Sequence, residues 1–256
     1  MARAADSWGT ILAEMAALTS LALAGSAWLV RPMSVAGPVG GESPSPVVEP
    51  LQPPVTDRYW DDATGTLFLA KADDRELMAR LPDTGLRTLL VDDGQLSDQA
   101  LQQLLRYPEL EHVRLRGVAV TDAGAESLSK LPQLRIVNIP HAVITDEGLK
   151  LLATLPRLEM LRFGSPNVTD RGLQALAEAP GLRFLHIIDT PISDKGVRRL
   201  VECRRLESLY LDGVRLSDET VDFLLSGLPN LHLHLDQKHH DRDPRRAHAE
   251  VADPFH

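Results

Sequence analysis

The most regular feature of this chain is a pattern of apolar positions that repeats every 24 residues. Each unit contains an alternating apolar segment, as in Leu158-x-x-Leu161-x-Phe163, and alternation of this kind predicts a β-strand. The same segment begins again at Leu110, Leu134, Leu182 and Leu206. Leu149 and Leu152 instead have the three-residue spacing of a helix face. Each unit is therefore predicted to be one strand followed by one helix.

A hydroxyl residue followed by aspartate precedes each predicted helix. The pairs also recur every 24 residues, at Ser97-Asp98, Thr121-Asp122, Thr145-Asp146, Thr169-Asp170, Ser193-Asp194 and Ser217-Asp218. A Ser or Thr oxygen accepts from the free amides of a helix start, and an aspartate there interacts favourably with the helix dipole. Because every pair has the same position in its unit, we interpret them as helix caps and not as metal-binding or catalytic carboxylates.

These segments resemble the leucine-rich-repeat family, whose unit is L-x-x-L-x-L followed by a return element. The stretch from Ile144 to Leu149 is most similar to the cysteine-containing subclass known from F-box proteins and from bacterial repeat proteins. The resemblance covers about Leu86 to Leu235. It implies an α/β solenoid of about six to seven 24-residue repeats, with parallel strands on a concave face and helices on the convex face. An F-box-like substrate adaptor is the alternative function that it implies.

The chain departs from that family at the position where an asparagine or cysteine usually follows each strand. The residues there are Gly94, Val118, Ala142, Pro166, Thr190 and Val214. We therefore expect the backbone groups of the loops after the strands to have other hydrogen-bond partners, because buried backbone groups are almost always paired.

The first 31 residues contain a long apolar run, from Ile11 to Val30, in which Glu14 is the only charged residue. Twenty residues at helical rise are just long enough to cross a bilayer. We predict an uncleaved membrane anchor in a single-pass protein, with the repeats outside the cytoplasm. A cleaved secretory signal, which would release the repeats, is the first alternative, and a soluble N-terminal helix is the second.

The rest of the chain divides into four parts. Residues 32–55 contain seven prolines and are predicted to be an extended linker. Residues 56–85 are irregular and rich in aromatic side chains, and we predict that they cap the repeat domain, residues 86–236. Residues 237–256 are charged and rich in histidine, and they are predicted to be a disordered tail. His232 and His234 would point to the same side of a strand, but nothing downstream fixes a ligand geometry, so no metal site is predicted.

Composition narrows the function. A net charge of −9 and a pI of about 5.5 argue against nucleic-acid binding. The single cysteine, Cys203, excludes an internal disulfide and is expected to be a buried apolar residue. Sequence motifs of nucleotide-binding loops, serine hydrolases and zinc proteases do not occur. We predict a monomeric protein that binds another protein, without a cofactor and without catalysis. An enzyme with an unrecognised site is a further alternative, after the F-box-like adaptor.

The residues predicted to bind that partner come from the third, fifth and seventh places of the strand segment, which point away from the helices. Ile136, Met160, Phe184 and Ile188 are predicted to form an exposed apolar centre, which is typical of a partner site. Its rim is predicted to contain His112, Arg114, Arg116, Asn138, Arg162, His186 and Tyr210. Cover by the linker or by the tail, or a patch without a role, are the alternatives.

Overall fold

The computed structural model describes residues 58–239, in which ten strands form a single sheet in the order of the chain. The strands are β1 (Arg58–Asp61), β2 (Thr66–Asp73), β3 (Thr88–Gln95), β4 (His112–Leu115), β5 (Ile136–Ile139), β6 (Met160–Gly164), β7 (Phe184–Ile188), β8 (Ser208–Asp212), β9 (His232–Leu235) and β10 (Lys238–His239).

One α-helix lies between each pair of successive strands from β2 to β9. These helices are α1 (Asp74–Arg80), α2 (Asp98–Gln102), α3 (Asp122–Ser129), α4 (Asp146–Ala153), α5 (Asp170–Leu176), α6 (Asp194–Arg198) and α7 (Asp218–Gly227). Short 3-10 helices continue α2 over Gln103–Arg106 and α6 over Arg199–Glu202. Helices therefore alternate with strands as the 24-residue pattern predicts.

Strands β2 to β9 are parallel, whereas the first and last strands of the sheet are antiparallel to their neighbours. In the centre of the sheet each residue pairs with the residue 24 positions later, as Met160 does with Phe184. The predicted solenoid of parallel strands and helices is confirmed. Strand β1 lies within the predicted cap, and strand β10 lies within the stretch that was predicted to be a tail.

The apolar core lies between the sheet and the helices. Leu161 and Phe163 of β6 are fully buried there, together with Leu149 and Leu152 of α4. Cys203 is also buried, as predicted, and its thiol donates to the carbonyl oxygen of Leu176 at 3.3 Å. Burial raises the pKa of this thiol to about 12, so the side chain is a packing residue and remains protonated.

The repeated hydroxyl-acid pairs cap the helices and also join successive repeats. Thr169 accepts from the backbone amide of Arg171 in the first turn of α5, as predicted for a cap. Asp146, one repeat earlier, accepts from both the backbone amide of Thr169, at 2.7 Å, and its hydroxyl, at 2.8 Å. This second contact is separate from the favourable interaction of the aspartate with the helix dipole. The aspartates therefore form a hydrogen-bonded ladder from repeat to repeat.

The ladder explains the glycine that follows most of these pairs. The backbone amide of Gly172 donates to Asp146 Oδ1 at 3.0 Å. A Cβ atom at position 172 would lie 2.6 Å from the same oxygen, closer than van der Waals contact allows. Gly172 is thus required by the approach of the preceding repeat's carboxylate, although its backbone conformation is open to other residues.

The loops after the strands form hydrogen bonds between repeats in place of an asparagine ladder. Val118 and Ala142, at the position where the family usually has asparagine, are buried and apolar. The backbone amide of Gly94 donates to the carbonyl oxygen of Arg116 at 3.0 Å, and that of Gly117 donates to His141 Nδ1 at 2.9 Å. The expectation that these groups find other partners is confirmed.

A second ladder, of alternating charge, runs across the starts of the strands. Its members are Arg87, Glu111, Arg135, Glu159, Arg183 and Glu207, each 24 residues from the next. The guanidinium group of Arg135 lies 3.7 Å from Glu111 and 3.1 Å from Glu159, and Arg183 lies 2.7 Å from Glu207. Neighbouring repeats thus present opposite charges to each other along this edge.

Candidate functional site

The strand register brings the predicted partner-binding residues together on the concave face, the side of the sheet that carries the third, fifth and seventh places. One row consists of paired residues His112, Ile136, Met160 and Phe184. A second row consists of paired residues Arg114, Asn138, Arg162, His186 and Tyr210. Arg116 directly follows β4, and Ile188 ends β7. The register thus brings the members of each row next to one another, and Arg116 and Ile188 lie outside the two rows.

The predicted exposure of the apolar centre is wrong for two of its members. Met160 is only 2% exposed and Phe184 only 5%. Adjacent strands lie about 4.8 Å apart, so large side chains at paired positions shield each other from solvent. The guanidinium of Arg183 also lies 5.3 Å from the centre of the Phe184 ring. Ile136 and Ile188 keep partial exposure, and the accessible apolar surface is therefore smaller than the sequence suggested.

Part of the predicted rim is also buried. His112, Asn138, His186 and Tyr210 are all less than one-tenth exposed, whereas Arg116 and Arg162 are partly accessible. The Tyr210 ring stacks on the ring of His234 with their centres 3.9 Å apart, which accounts for part of its burial. Most side chains of the second, polar row are therefore buried, and Arg162 within it and Arg116 next to it are partly accessible.

Electrostatics at the N-terminal end of this row depend on Arg114. Its guanidinium lies 2.7 Å from the carboxylate of Asp92, which Arg116 also approaches at 3.8 Å. Burial lowers the pKa of Arg114, and the charge of Asp92 opposes that shift. Burial also lowers the pKa of His112 to about 3, and the charge of Arg114 acts in the same direction. His112 is therefore neutral at pH 7, and Arg114 carries its charge next to Asp92.

Two neighbouring side chains of the polar row have buried atoms with unused hydrogen-bonding capacity. Arg114 is 5% exposed and Asn138 is 7% exposed, and the two residues are paired across β4 and β5. Within residues 58–239, Arg114 Nε has no acceptor and Asn138 Oδ1 has no donor. Leaving such a group unsatisfied costs about 1–3 kcal/mol. Arg114 and Asn138 thus place an unused donor and an unused acceptor on adjacent strands.

Comparison with known proteins gives the fold a name. No protein-family model matches the sequence, and no curated protein matches it. Among solved structures, the leucine-rich-repeat protein internalin C2 of Listeria monocytogenes is similar to this chain with a TM-score of 0.50. The match covers 75% of this chain and 78% of internalin C2 at 22% sequence identity. This chain has the leucine-rich-repeat fold. An identity of 22% establishes the fold alone, and the resemblance to the cysteine-containing subclass stays a prediction.

At the C-terminal end of the leucine-rich-repeat sheet, the polar row is held by an aspartate that the sequence analysis did not select. Asp212 lies 2.9 Å from His186 Nε2, and it also accepts from the backbone amide of Gln237 at 3.1 Å. Asp92 is the second aspartate missed in this way. Both occupy the seventh place of their repeats, two residues beyond the register partner of the fifth-place side chain that they contact, Arg114 or His186. That shared diagonal position is the signal that could have identified them.

Strand β9, at the C-terminal end of the leucine-rich-repeat sheet, carries His232 and His234. In the stretch that the structure describes, no group of three or more histidine, cysteine or acidic side chains could hold a metal ion. His234, one of the two histidines considered from the sequence, packs against Tyr210. That histidine therefore has a packing role in the sheet.

Proposed function

We propose that this chain is a non-catalytic scaffold that binds a protein partner on its concave face. The observation that carries the proposal is the pair of buried, unsatisfied polar atoms on Arg114 and Asn138. Folded proteins satisfy almost all buried polar groups, so a neighbouring donor and acceptor that are both unused favour a site that is completed by a partner. Arg116, Ile136 and Arg162 border the pair and are accessible enough to make the surrounding contacts.

The chemistry of the same face favours binding over catalysis. A general base works best with a pKa near the working pH, and the pKa of His112 is held at about 3. Guanidinium groups such as Arg114 bind acceptors but do not transfer protons at neutral pH. Cys203, whose thiol pKa is about 12, lies in the core and not on this face. We therefore assign these side chains to recognition.

The test compares two variants of the full-length chain that differ in the surface they change. Ile136→Asp combined with Arg162→Glu alters partly exposed residues of the concave face. Phe223→Asp alters an exposed residue of α7 and is the control. A partner identified by cross-linking and then purified should bind the wild type and the control equally, and the concave-face variant at least 10-fold more weakly. Equal binding to all three proteins would refute the proposal.

We further propose that the N-terminal apolar run tethers the repeats to a membrane, or exports them if it is cleaved. Ile11–Val30 lies outside the described residues, and within residues 58–239 no helix could cross a bilayer. The proposal is supported by the length of the run and by its single charge. Membrane fractionation with protease protection should find the repeats in the membrane fraction, outside the cytoplasm. Repeats that remain in the cytosol would contradict both tethering and export.

Two finer assignments accompany this proposal. The F-box-like alternative depends on residues 1–60, of which the structure describes only the last three, and we keep it as the second candidate on resemblance alone. We also propose that the solenoid is a monomer, because the end strands of the described sheet, β1 and β10, are only 4 and 2 residues long and offer little edge for pairing with a second chain. Light scattering of the purified protein should give a mass that corresponds to one chain.

A further inference from the structure

We propose that the ligand of the concave face is an extended, acidic peptide segment of the partner, whose backbone binds Arg114 and Asn138. This inference rests on the proposed function and adds to it the chemical class of the ligand. It follows from the hydrogen-bonding demand of the two side chains and from the charge around them, each of which restricts the ligand in a different way.

The hydrogen-bonding demand requires a ligand with both an acceptor and a donor. Arg114 Nε is a donor that lacks an acceptor, and Asn138 Oδ1, on the adjacent strand, is an acceptor that lacks a donor, among residues 58–239. A carboxylate alone offers only acceptors, and an ammonium group offers only donors. A peptide backbone offers a carbonyl oxygen and an N–H within one residue of each other. It therefore matches both atoms at once.

The same demand excludes a helical ligand. In the middle of a helix the backbone N–H and carbonyl groups are used in bonds within that helix. In an extended segment they remain available to a binding surface, as they do when a peptide binds along a protein groove. The ligand that satisfies Arg114 and Asn138 through its backbone must therefore be extended where it crosses β4 and β5.

Charge around the pair favours acidic side chains on this segment. Arg114 and Arg116 share one carboxylate, that of Asp92, at 2.7 and 3.8 Å. The adjacent His112 is neutral at pH 7 because burial holds its pKa at about 3. This end of the face thus has an excess of positive charge, although the whole chain has a net charge of −9. Opposite charges on the two surfaces also speed their association.

The test measures fluorescence polarisation of labelled probes with the full-length chain. The first probe is a decapeptide of alternating glutamate and glycine, which is acidic and has a free backbone. The second is an alternating lysine and glycine decapeptide, and the third is a polyacrylate oligomer with the same number of carboxylates and no peptide groups. We expect saturable binding of the acidic peptide, binding of polyacrylate at least 10-fold weaker, and none of the basic peptide.

Two variants connect that binding to the polar row. Asn138→Leu removes the unused acceptor and should weaken binding of the acidic peptide about 5- to 10-fold, the effect of one buried hydrogen bond. It should raise the melting temperature of the ligand-free protein, since it replaces an unsatisfied buried amide with an apolar side chain of similar size. Gln174→Leu makes the same kind of change at an exposed position of α5 and should leave peptide binding unchanged.

The outcomes distinguish this inference from the proposed function. Equal binding of polyacrylate and acidic peptide, or no effect of Asn138→Leu, would overturn backbone recognition, even if the purified partner still requires Ile136 and Arg162. Absence of saturable peptide binding would overturn it as well. A synthetic peptide of residues 32–55 is a further probe. If it binds more tightly than the acidic decapeptide, the ligand is this segment of the chain itself, and the proposal of a separate partner is overturned.

Discussion

The aspartate ladder predicts a large loss of stability from one substitution, Asp146→Ala. The carboxylate of Asp146 accepts three hydrogen bonds from the next repeat, from the amide and hydroxyl of Thr169 and from the amide of Gly172, at 2.7 to 3.0 Å. Buried hydrogen bonds to a charged group contribute about 1.5–3 kcal/mol each. Asp146 is half-buried and Thr169 is exposed, so water replaces much of this contribution, and we expect a total loss of about 2–3 kcal/mol.

The matched control is Glu147→Ala, because it removes another first-turn carboxylate from the same helix, α4. Glu147 has the same favourable position near the helix dipole, yet it lies on an exposed surface with Lys150 at 3.9 Å as its ion-pair partner. Its loss should cost about 0.5 kcal/mol or less.

Urea unfolding of the full-length chain, followed by circular dichroism, measures both changes in the free energy of unfolding. The Asp146 variant should also show a shallower transition, because Asp146 connects two central repeats and the stability of such arrays depends on the interfaces between neighbours. If Asp146→Ala costs no more than Glu147→Ala, the aspartates act through the helix dipole alone, and the ladder is not what joins the repeats.

Three further predictions concern a glycine of the same ladder, the buried His112 and the ladder of alternating charge. Gly172→Ala should cost about 1–3 kcal/mol in unfolding experiments because its Cβ would lie 2.6 Å from Asp146 Oδ1, and it should cost much less when combined with Asp146→Ala. The pKa of His112 is about 3 in the folded protein, below its unfolded value of about 6.5. Its contribution to the free energy of unfolding is therefore complete above pH 6.5 and is lost as the pH falls, by about 2 kcal/mol at pH 5. His112→Gln should remove this pH dependence. Arg135→Glu should destabilise the protein by about 1 kcal/mol through repulsion by its neighbours, and adding Glu159→Arg should recover part of that loss in the same urea assay.

Much of the fold could be predicted from the sequence because the repeat has a constant length. When every unit has 24 residues, the parallel strands pair without a shift, so positions 24 apart become neighbours. That is why Ile136, Met160 and Phe184 could be placed side by side before the structure was known. The ends were harder, because β1 and β10 pair antiparallel and follow no repeat.

The contacts between repeats were less predictable, for two different reasons. The hydrogen bond from Thr169 to Asp146 depends on how closely two helix starts approach, and sequence spacing along one helix does not report that distance. Burial of Met160 and Phe184 likewise depends on the size of the side chains on adjacent strands. Positive and negative residues, such as Arg135 and Glu159, alternate at one position of successive repeats. This alternation can be seen in the sequence only when the charges of residues 24 apart are compared.

The candidate site is found where the chain departs from its own repeat. Residues of the helix caps, the strands and the two ladders have the same packing or hydrogen-bonding role in every repeat, so their position in the 24-residue unit explains them. Asn138 is not explained in this way, because it is enclosed on the sheet surface and, among residues 58–239, its carbonyl oxygen has no donor. An unsatisfied amide lowers stability by about 1–3 kcal/mol. Selection for stability alone favours an apolar residue at this position, so Asn138→Leu should raise the melting temperature in the absence of a ligand, and this gain would come at the expense of peptide binding.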